Sequence, residues 1–344
     1  MSSQMTSRER VLAAMQGLPH DRTPLISPVS LANTDCMRHA RAWFPYANTQ
    51  AVKMADLAQT SFTVLQFDSI MPYFGTTHEL SALGCQVSWG SSEQFSAVYG
   101  GTLPSLDAFR MPVNYLDSKP IRVVLDAVSL LKARHGQQAA IIGKIIGPLS
   151  LLFYLFGIQN MLNALILEPE TTVQVLDACK ELCIAFAVAQ IEAGADLITV
   201  SEDAAGEMIS REGYRQLVME TEREIFQTLQ KDTFVTFHLS GNIMDRADLF
   251  RDTGFHALSF DSRNDLPQLR AMTGEMKLIG GVNNPGTLLN GSREMVAKEV
   301  WYALDHGVEC IAPECAIPLR VPNRNLHAMR DAVLQYEKKR QKGR

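Results

Sequence analysis

The sequence has no apolar run of membrane-spanning length: its most hydrophobic stretch, 139–156, is interrupted by Lys144, Gly147 and Pro148. No apolar segment stands near the amino end, where Arg8, Glu9 and Arg10 lie, so no secretory signal is expected. Cysteine is sparse. Cys36, Cys85, Cys179, Cys183, Cys310 and Cys315 are scattered too widely for a disulfide framework, and a reducing cytoplasm is the expected compartment. Cys179 and Cys183 share a helical spacing and read as buried small hydrophobes. No basic patch interleaved with aromatics is present, and the net charge is -5, so neither nucleic acid nor a membrane is an expected partner. No G-x-G-x-x-G follows the first strand-like run, which removes the usual support for a dinucleotide fold.

What is present is an ordinary globular composition, 46% hydrophobic and 20% charged over 344 residues, enough for a large core. An amphipathic helix is expected over Ser7–Gln16, with Ser7 as N-cap and Gly17 as its stop. Short apolar strands ending in polar or glycine residues then follow, at 24–30, 63–70, 140–147, 196–202, 234–240, 257–261, 278–283 and 309–313. Amphipathic stretches lie between them, among them 161–167, 171–193, 211–231, 244–253 and 295–306. This alternation predicts an α/β fold, a (β/α)8 TIM-type barrel with a short N-terminal helix, forming a single domain over residues 1–344. Residues 85–100 read as an inserted β-hairpin.

In such a barrel the chemistry gathers at the C-terminal strand ends. Those ends offer Asp68, Lys144, Glu202 with Asp203, His238 with Ser240, Asp261, Asn283 with Asn284, and Glu314 with Cys315. The stretch Phe234-Val235-Thr236-Phe237-His238-Leu239-Ser240-Gly241-Asn242 is the most pointed. His238 and Ser240 are two apart on an extended chain and face the same side. A capped strand end with a hydrogen-bonded histidine is the plainer alternative. Asp68 is read as a catalytic residue that positions substrate, and Asp261 and Asn283 as polar lining of the mouth that contacts a cofactor, each with a helix cap as the alternative. Lys144 is expected to pair with a carboxylate such as Glu202. His78, His135, His256, His306 and His327 are expected on the surface or in loops. The basic end, 338–344, reads as a solvated, frayed helix.

The opening, Ser7-Arg8-Glu9-Arg10-Val11-Leu12-Ala13-Ala14-Met15 with Gly17 and Asp21-Arg22-Thr23-Pro24, resembles the uroporphyrinogen decarboxylase superfamily. Gly280-Gly281-Val282-Asn283-Asn284-Pro285, then Ala312-Pro313-Glu314-Cys315-Ala316-Ile317-Pro318 and Pro322-Asn323-Arg324-Asn325-Leu326, resembles the terminal block of its corrinoid-dependent, methylcobamide:coenzyme M type methyltransferase branch. The resemblance spans nearly the whole chain and implies the barrel with its hairpin. It also implies methyl transfer between a small methyl donor or acceptor and the cobalt of a separate corrinoid protein. The chain has no Asp-x-His-x-x-Gly corrinoid motif of its own. A homodimer is left open.

The resemblance further implies a catalytic zinc held by a His-x-Cys pair and a distal cysteine. His238 and Cys315 match the outer two, and Ser240 stands where the middle cysteine belongs. A serine hydroxyl is a poor zinc ligand. Three readings follow: a carboxylate, Glu202 or Glu314, completes the zinc shell; no metal binds; or catalysis is lost and the protein is a corrinoid-protein-binding scaffold. Glu314 replaces a glycine of the family pattern. A harder zinc with fewer thiolates would suit demethylation of an oxygen- or nitrogen-linked donor. Uroporphyrinogen decarboxylation is the rival activity, but Met37-Arg38-His39-Ala40-Arg41 matches its Arg-Gln-Ala-Gly-Arg run only faintly.

Overall fold

Thr6, one residue before the expected cap, starts the helix Ser7–Gln16. Its hydroxyl accepts from the Glu9 amide while the Glu9 carboxylate accepts from the Thr6 amide, a reciprocal capping box. That frees the Ser7 hydroxyl to donate to Asp68 at 2.6 Å. These features come from a computed structural model that describes residues 5–99, 101 and 103–342.

The strands are β1 (Ser69–Ile70), β2 (Val87–Ser88), β3 (Ala97–Val98), β4 (Ala140–Ile146), β5 (Leu197–Glu202), β6 (Phe234–Leu239), β7 (Ala257–Phe260), β8 (Lys277–Val282) and β9 (Cys310–Pro313). Among the described residues, β1, β4, β5, β6, β7, β8 and β9 form one sheet in that order, every pair parallel. Helices cover the outside, so strands are buried on both faces and read as continuous apolar runs. All seven residues of β4 are buried.

Leu25 closes the ring. It makes a parallel bridge to Ile311 of β9, and its carbonyl accepts from the Asp68 amide at 2.7 Å on the other side. The barrel expectation therefore holds, but the stave expected over 24–30 is a single bridge. Pro24 and Pro28 lack amide donors and cannot extend a ladder. The stave expected over 63–70 keeps only two residues, because helix runs through Thr60–Thr63 and Gln66 turns at φ 59.

The expected hairpin is present as an antiparallel pair, Val87 opposite Val98 and Ser88 opposite Ala97, while Gly100 lies outside the described residues. The stretch expected to be helical over 244–253 forms only the 3-10 turn Ala247–Phe250. The helix expected over 211–231 is broken by a π-turn, Tyr214–Val218. The basic end continues the helix Asn323–Lys342, and Gly343 and Arg344 lie outside the described residues. The long apolar stretch resolves into β4 and the buried helix Pro148–Phe156. Among the described residues no single helix is long and apolar enough to cross a membrane; the bent pair Pro148–Phe156 and Ile158–Leu167 meets that measure only together, with a 117° break.

Candidate active site

Register decides which side chains enter the barrel. Residues paired across parallel strands share a face, and successive residues alternate. Ser201 pairs with His238 and His238 with Ser259, so these three form one layer. Glu202 pairs with Leu239 on the opposite face. One step further, Asp203 and Ser240 return to the face of His238, and the Ser240 hydroxyl donates to Asp203 Oδ1 at 3.3 Å.

His238 is fully buried. Its Nδ1 lies 2.9 Å from Ser259 Oγ, and its Nε2 has no hydrogen-bond partner. Burial pushes the imidazole pKa down to about 4, with Asp203 and Asp261 pulling upward and Lys144 pushing further down. At neutral pH the ring is uncharged and offers a free nitrogen. Cys315, in the loop after β9, places its sulfur 3.7 Å from Ser240 Oγ. Burial raises its thiol pKa, Asp203 adds to that, and the Ser240 hydroxyl and Ala316 amide oppose it. His238, Ser240 and Cys315 thus gather as expected, and Asp203 joins them. Asp203 stood among the polar strand ends in the sequence, next to the more prominent Glu202.

The other expected residues are committed elsewhere. Glu202 points outward and is fully buried, accepting from the amides of Leu149 and Ser150 at 2.9 Å and from Ser150 Oγ at 2.5 Å. It caps the helix Pro148–Phe156, and burial pushes its pKa up to about 7 against those donors. Glu314 accepts from the Asn284 amide at 2.7 Å, from the Ser262 amide and hydroxyl, and from Asn283 Nδ2. Asn283 caps the turn Asn284–Leu289 with its side-chain oxygen. In Asp261, burial pushes the carboxyl up, but hydrogen bonds from Arg263 and from the Gly241 amide outweigh it and hold the pKa low.

Asp68 departs furthest from expectation. It precedes β1, at the N-terminal end of the barrel. Fully buried, it accepts from Arg10 at 2.7 Å, Arg22 at 2.8 Å, Ser7 and the Leu25 amide. It is a lock on the barrel seam. Lys144 also departs: it is 4% exposed, and no carboxylate, Glu202 included, lies within ion-pair distance among the described residues. Its ammonium donates to the Gly75 carbonyl at 2.7 Å and lies 4.4 Å from the Tyr73 ring centre. Burial lowers its pKa, while Asp203, Glu79 and Cys315 pull it up. His78 is buried too, its Nε2 bonded to the Asn48 carbonyl at 2.7 Å and its ring against Tyr73 and Trp89.

A cleft of about 400 Å³ opens beside Asp203, lined by Val98 of β3, by Phe153, Tyr154 and Ile158 from the covering helices, and by Met208. The Tyr154 hydroxyl donates to Asp203 Oδ2 at 3.4 Å, and burial pushes its pKa up to about 12. Among the described residues no Lys or Arg lines this space. For the zinc implied by resemblance, the donors fit in part. His238 Nε2 is an unpartnered, neutral, buried nitrogen and Cys315 stands across Ser240. Yet among the described residues no three His, Cys, Asp or Glu side chains group closely enough to enclose an ion.

The family model for uroporphyrinogen decarboxylase (URO-D) matches residues 6–336. The methylcobamide:CoM methyltransferase MtbA of Methanosarcina acetivorans is 28% identical over 97% of this chain and 99% of its own length. The methylated-thiol–coenzyme M methyltransferase of Methanosarcina mazei is 25% identical over 95% of this chain and 89% of its own. A solved methyltransferase structure from Methanosarcina mazei superposes with a TM-score of 0.92 at 26% identity, covering 96% of this chain and 99% of that one.

Proposed function

The chain belongs to the uroporphyrinogen decarboxylase family, and from that premise we propose that it is a methyltransferase that moves a methyl group between a small substrate and the cobalt of a corrinoid carried by a separate protein. The observation that carries this reading is His238: a neutral, buried imidazole whose Nε2 is left without a partner beside Ser240, Asp203 and Cys315, in a chain similar over nearly its full length to corrinoid methyltransferases. Elsewhere in the barrel the expected carboxylates are satisfied, so an unspent nitrogen at the strand ends marks where a ligand belongs.

His238 and Cys315 are the residues that would hold zinc. When bound, zinc supplies Lewis acidity towards the heteroatom that carries or accepts the methyl group. Ser259 orients the imidazole through Nδ1, and the apolar cleft keeps water from the reacting centre. Glu202 and Glu314 are not proposed as further ligands, because each already satisfies a set of amides and hydroxyls. With Ser240 in place of a thiolate, the direction favoured is demethylation of the small substrate onto cobalt.

Decarboxylation of a polyanionic tetrapyrrole is not favoured. Arg38 is spent on an exposed ion pair with Asp35, and among the described residues the cleft contains no cationic side chain. The test combines the purified protein, a corrinoid protein reduced to the cob(I)alamin state and a panel of O-, N- and S-methyl donors, followed by visible spectroscopy. Formation of methylcob(III)alamin is the expected result. No turnover with any donor or thiol acceptor, together with decarboxylation of uroporphyrinogen, would sink the proposal. Metal content of the same sample reports on zinc separately.

A further inference from the structure

We propose that the cleft beside Asp203 takes the methyl donor as a methylated ammonium cation, with the Asp203 carboxylate as counter-charge and the Phe153 and Tyr154 rings as walls. This rests on the methyl-transfer reading and narrows its substrate class. Among the described residues, Asp203 is the one charged side chain lining the cleft. Its contacts are two long hydrogen bonds, from Ser240 at 3.3 Å and Tyr154 at 3.4 Å. Among the described residues no Lys, Arg or His lies within ion-pair distance of it, whereas Asp68, Asp196 and Asp261 each have such a partner. Lys144 acts on Asp203 through space, but its ammonium is held by the Gly75 carbonyl and the Tyr73 ring and does not line the cleft.

A half-buried carboxylate among apolar walls is costly unless a cation joins it. The rest of the lining supplies what a methylated ammonium needs: apolar surface for its methyl groups and aromatic faces that attract its charge. An anionic thiol, such as a thiol sulfonate, would meet Asp203 with like charge and find no Lys or Arg among the described lining residues. A neutral methoxy compound would leave the carboxylate uncompensated.

The chemistry suits the departure at Ser240. A quaternary ammonium donates its methyl group by breaking the C–N bond, with the electron pair staying on nitrogen. The cob(I)alamin of the partner corrinoid protein supplies the two electrons of the new Co–C bond and becomes methylcob(III)alamin. The leaving group is a neutral amine, so no proton has to be delivered and a strongly donating thiolate shell is not required. Loss of the positive charge also removes the attraction to Asp203, which favours product release.

Titration calorimetry with tetramethylammonium, choline and benzyltrimethylammonium tests the site without catalysis. At least one of them is expected to bind the wild-type protein. Choline's uncharged carbon analogue, with tert-butyl in place of trimethylammonium, should bind about tenfold more weakly than choline, and coenzyme M should not bind in the cleft. Asp203→Asn should weaken the ammonium ligand about tenfold while leaving the neutral analogue unchanged. Phe153→Leu, which keeps the charge, should weaken the ammonium ligand by a smaller factor. Thermal melts verify that both variants are folded. The inference is overturned if none of the three cations binds, if charged and neutral analogues bind alike, or if folded Asp203→Asn retains full affinity. Cob(I)alamin spectra separate the two readings. Ammonium binding with no methylation of cobalt by any donor would overturn the methyl-transfer reading alone, and methylation by a thioether or methoxy donor without ammonium binding would overturn the cation site alone.

Discussion

Asp68 and Asp203 are the same side chain at opposite ends of one barrel. Asp68, at the N-terminal end, is fully buried and holds two arginines, a serine and a backbone amide. Asp196, at the same end, is matched by Arg8, Lys132 and the Ile141 amide. Asp203, at the C-terminal end, has two long hydroxyl contacts and no cation. The histidines do not divide by partner count. His78 and His238 are both pushed by burial to about 4, and each has one bonded ring nitrogen, to the Asn48 carbonyl and to Ser259, and one without a partner; what separates them is place, His238 lying at the strand ends with Ser240 and Asp203 on its face. For the aspartates, residue type does not distinguish structural from functional groups; the degree to which partners are already supplied does.

The largest expected effect is on stability. Asp68→Ala should cost about 3–5 kcal/mol in urea unfolding, because it leaves buried Arg10 with Asp21 alone and takes from Arg22 the carboxylate it pairs with. Asp203→Asn should stay within about 1 kcal/mol of wild type. Equal losses at the two positions would break the comparison.

Acid sensitivity tests His78, the buried histidine away from the strand ends. His78 has a folded pKa of about 4 against the ordinary 6.5, so the unfolded chain takes the proton first as pH falls. Its contribution is fully present above pH 6.5 and is lost as the pH drops to 4, amounting to about 3 kcal/mol at most. A His78→Gln variant should show a flatter fall in unfolding free energy across that window, measured as a difference from wild type. An unchanged slope would remove His78 from the acid response.

For His238 the expected loss is in activity. His238→Gln should slow methyl transfer about 100-fold or more while costing only about 1 kcal/mol of stability, since it gives up one hydrogen bond, to Ser259. Rates from the corrinoid spectrum and a thermal melt measure the two separately. The smallest effect is expected at Glu202→Gln, which keeps its shape and an acceptor oxygen and should lose roughly 1 kcal/mol at the cap of Pro148–Phe156. A loss of several kcal/mol there would mean that the charge, and not the acceptor, holds the helix.

The alternation of strand and helix was legible in the sequence because parallel strands covered on both faces keep continuous apolar runs such as that of β4. Which side chains point inward is only weakly written there. In Leu197-Ile198-Thr199-Val200-Ser201-Glu202-Asp203 the small polar residues Thr199 and Ser201 share the face of Asp203, a short alternation that Glu202 interrupts with the more prominent carboxylate; the pairing of Ser201 with His238 separates the two acids. Asp68 was misplaced for a related reason. The apolar run before it belongs to a helix and a turn, so it begins a strand it was expected to end. His78 gave no signal, since Trp89 and Tyr73, which bury it, meet it only in the folded chain. His238 and Ser240 were legible as neighbours on one face because strand alternation and family resemblance agreed on them, while Cys315, in a loop after β9, was brought to them by the resemblance.

Gly147 leaves room for the outward acid. A Cβ at that position would lie 2.2 Å from Glu202 Oε1. Positions 147 and 202 therefore form a single mutational unit: a side chain at the first expels the acid at the second, and a strand twisted to relieve the clash would carry Asp203 away from Ser240. Val98, Ile158 and Met208 also line the cleft, and none of them is among the atoms nearest that Cβ. A library that diversifies those three positions, with 147 and 202 held fixed, should reshape the cleft while keeping Asp203 in place.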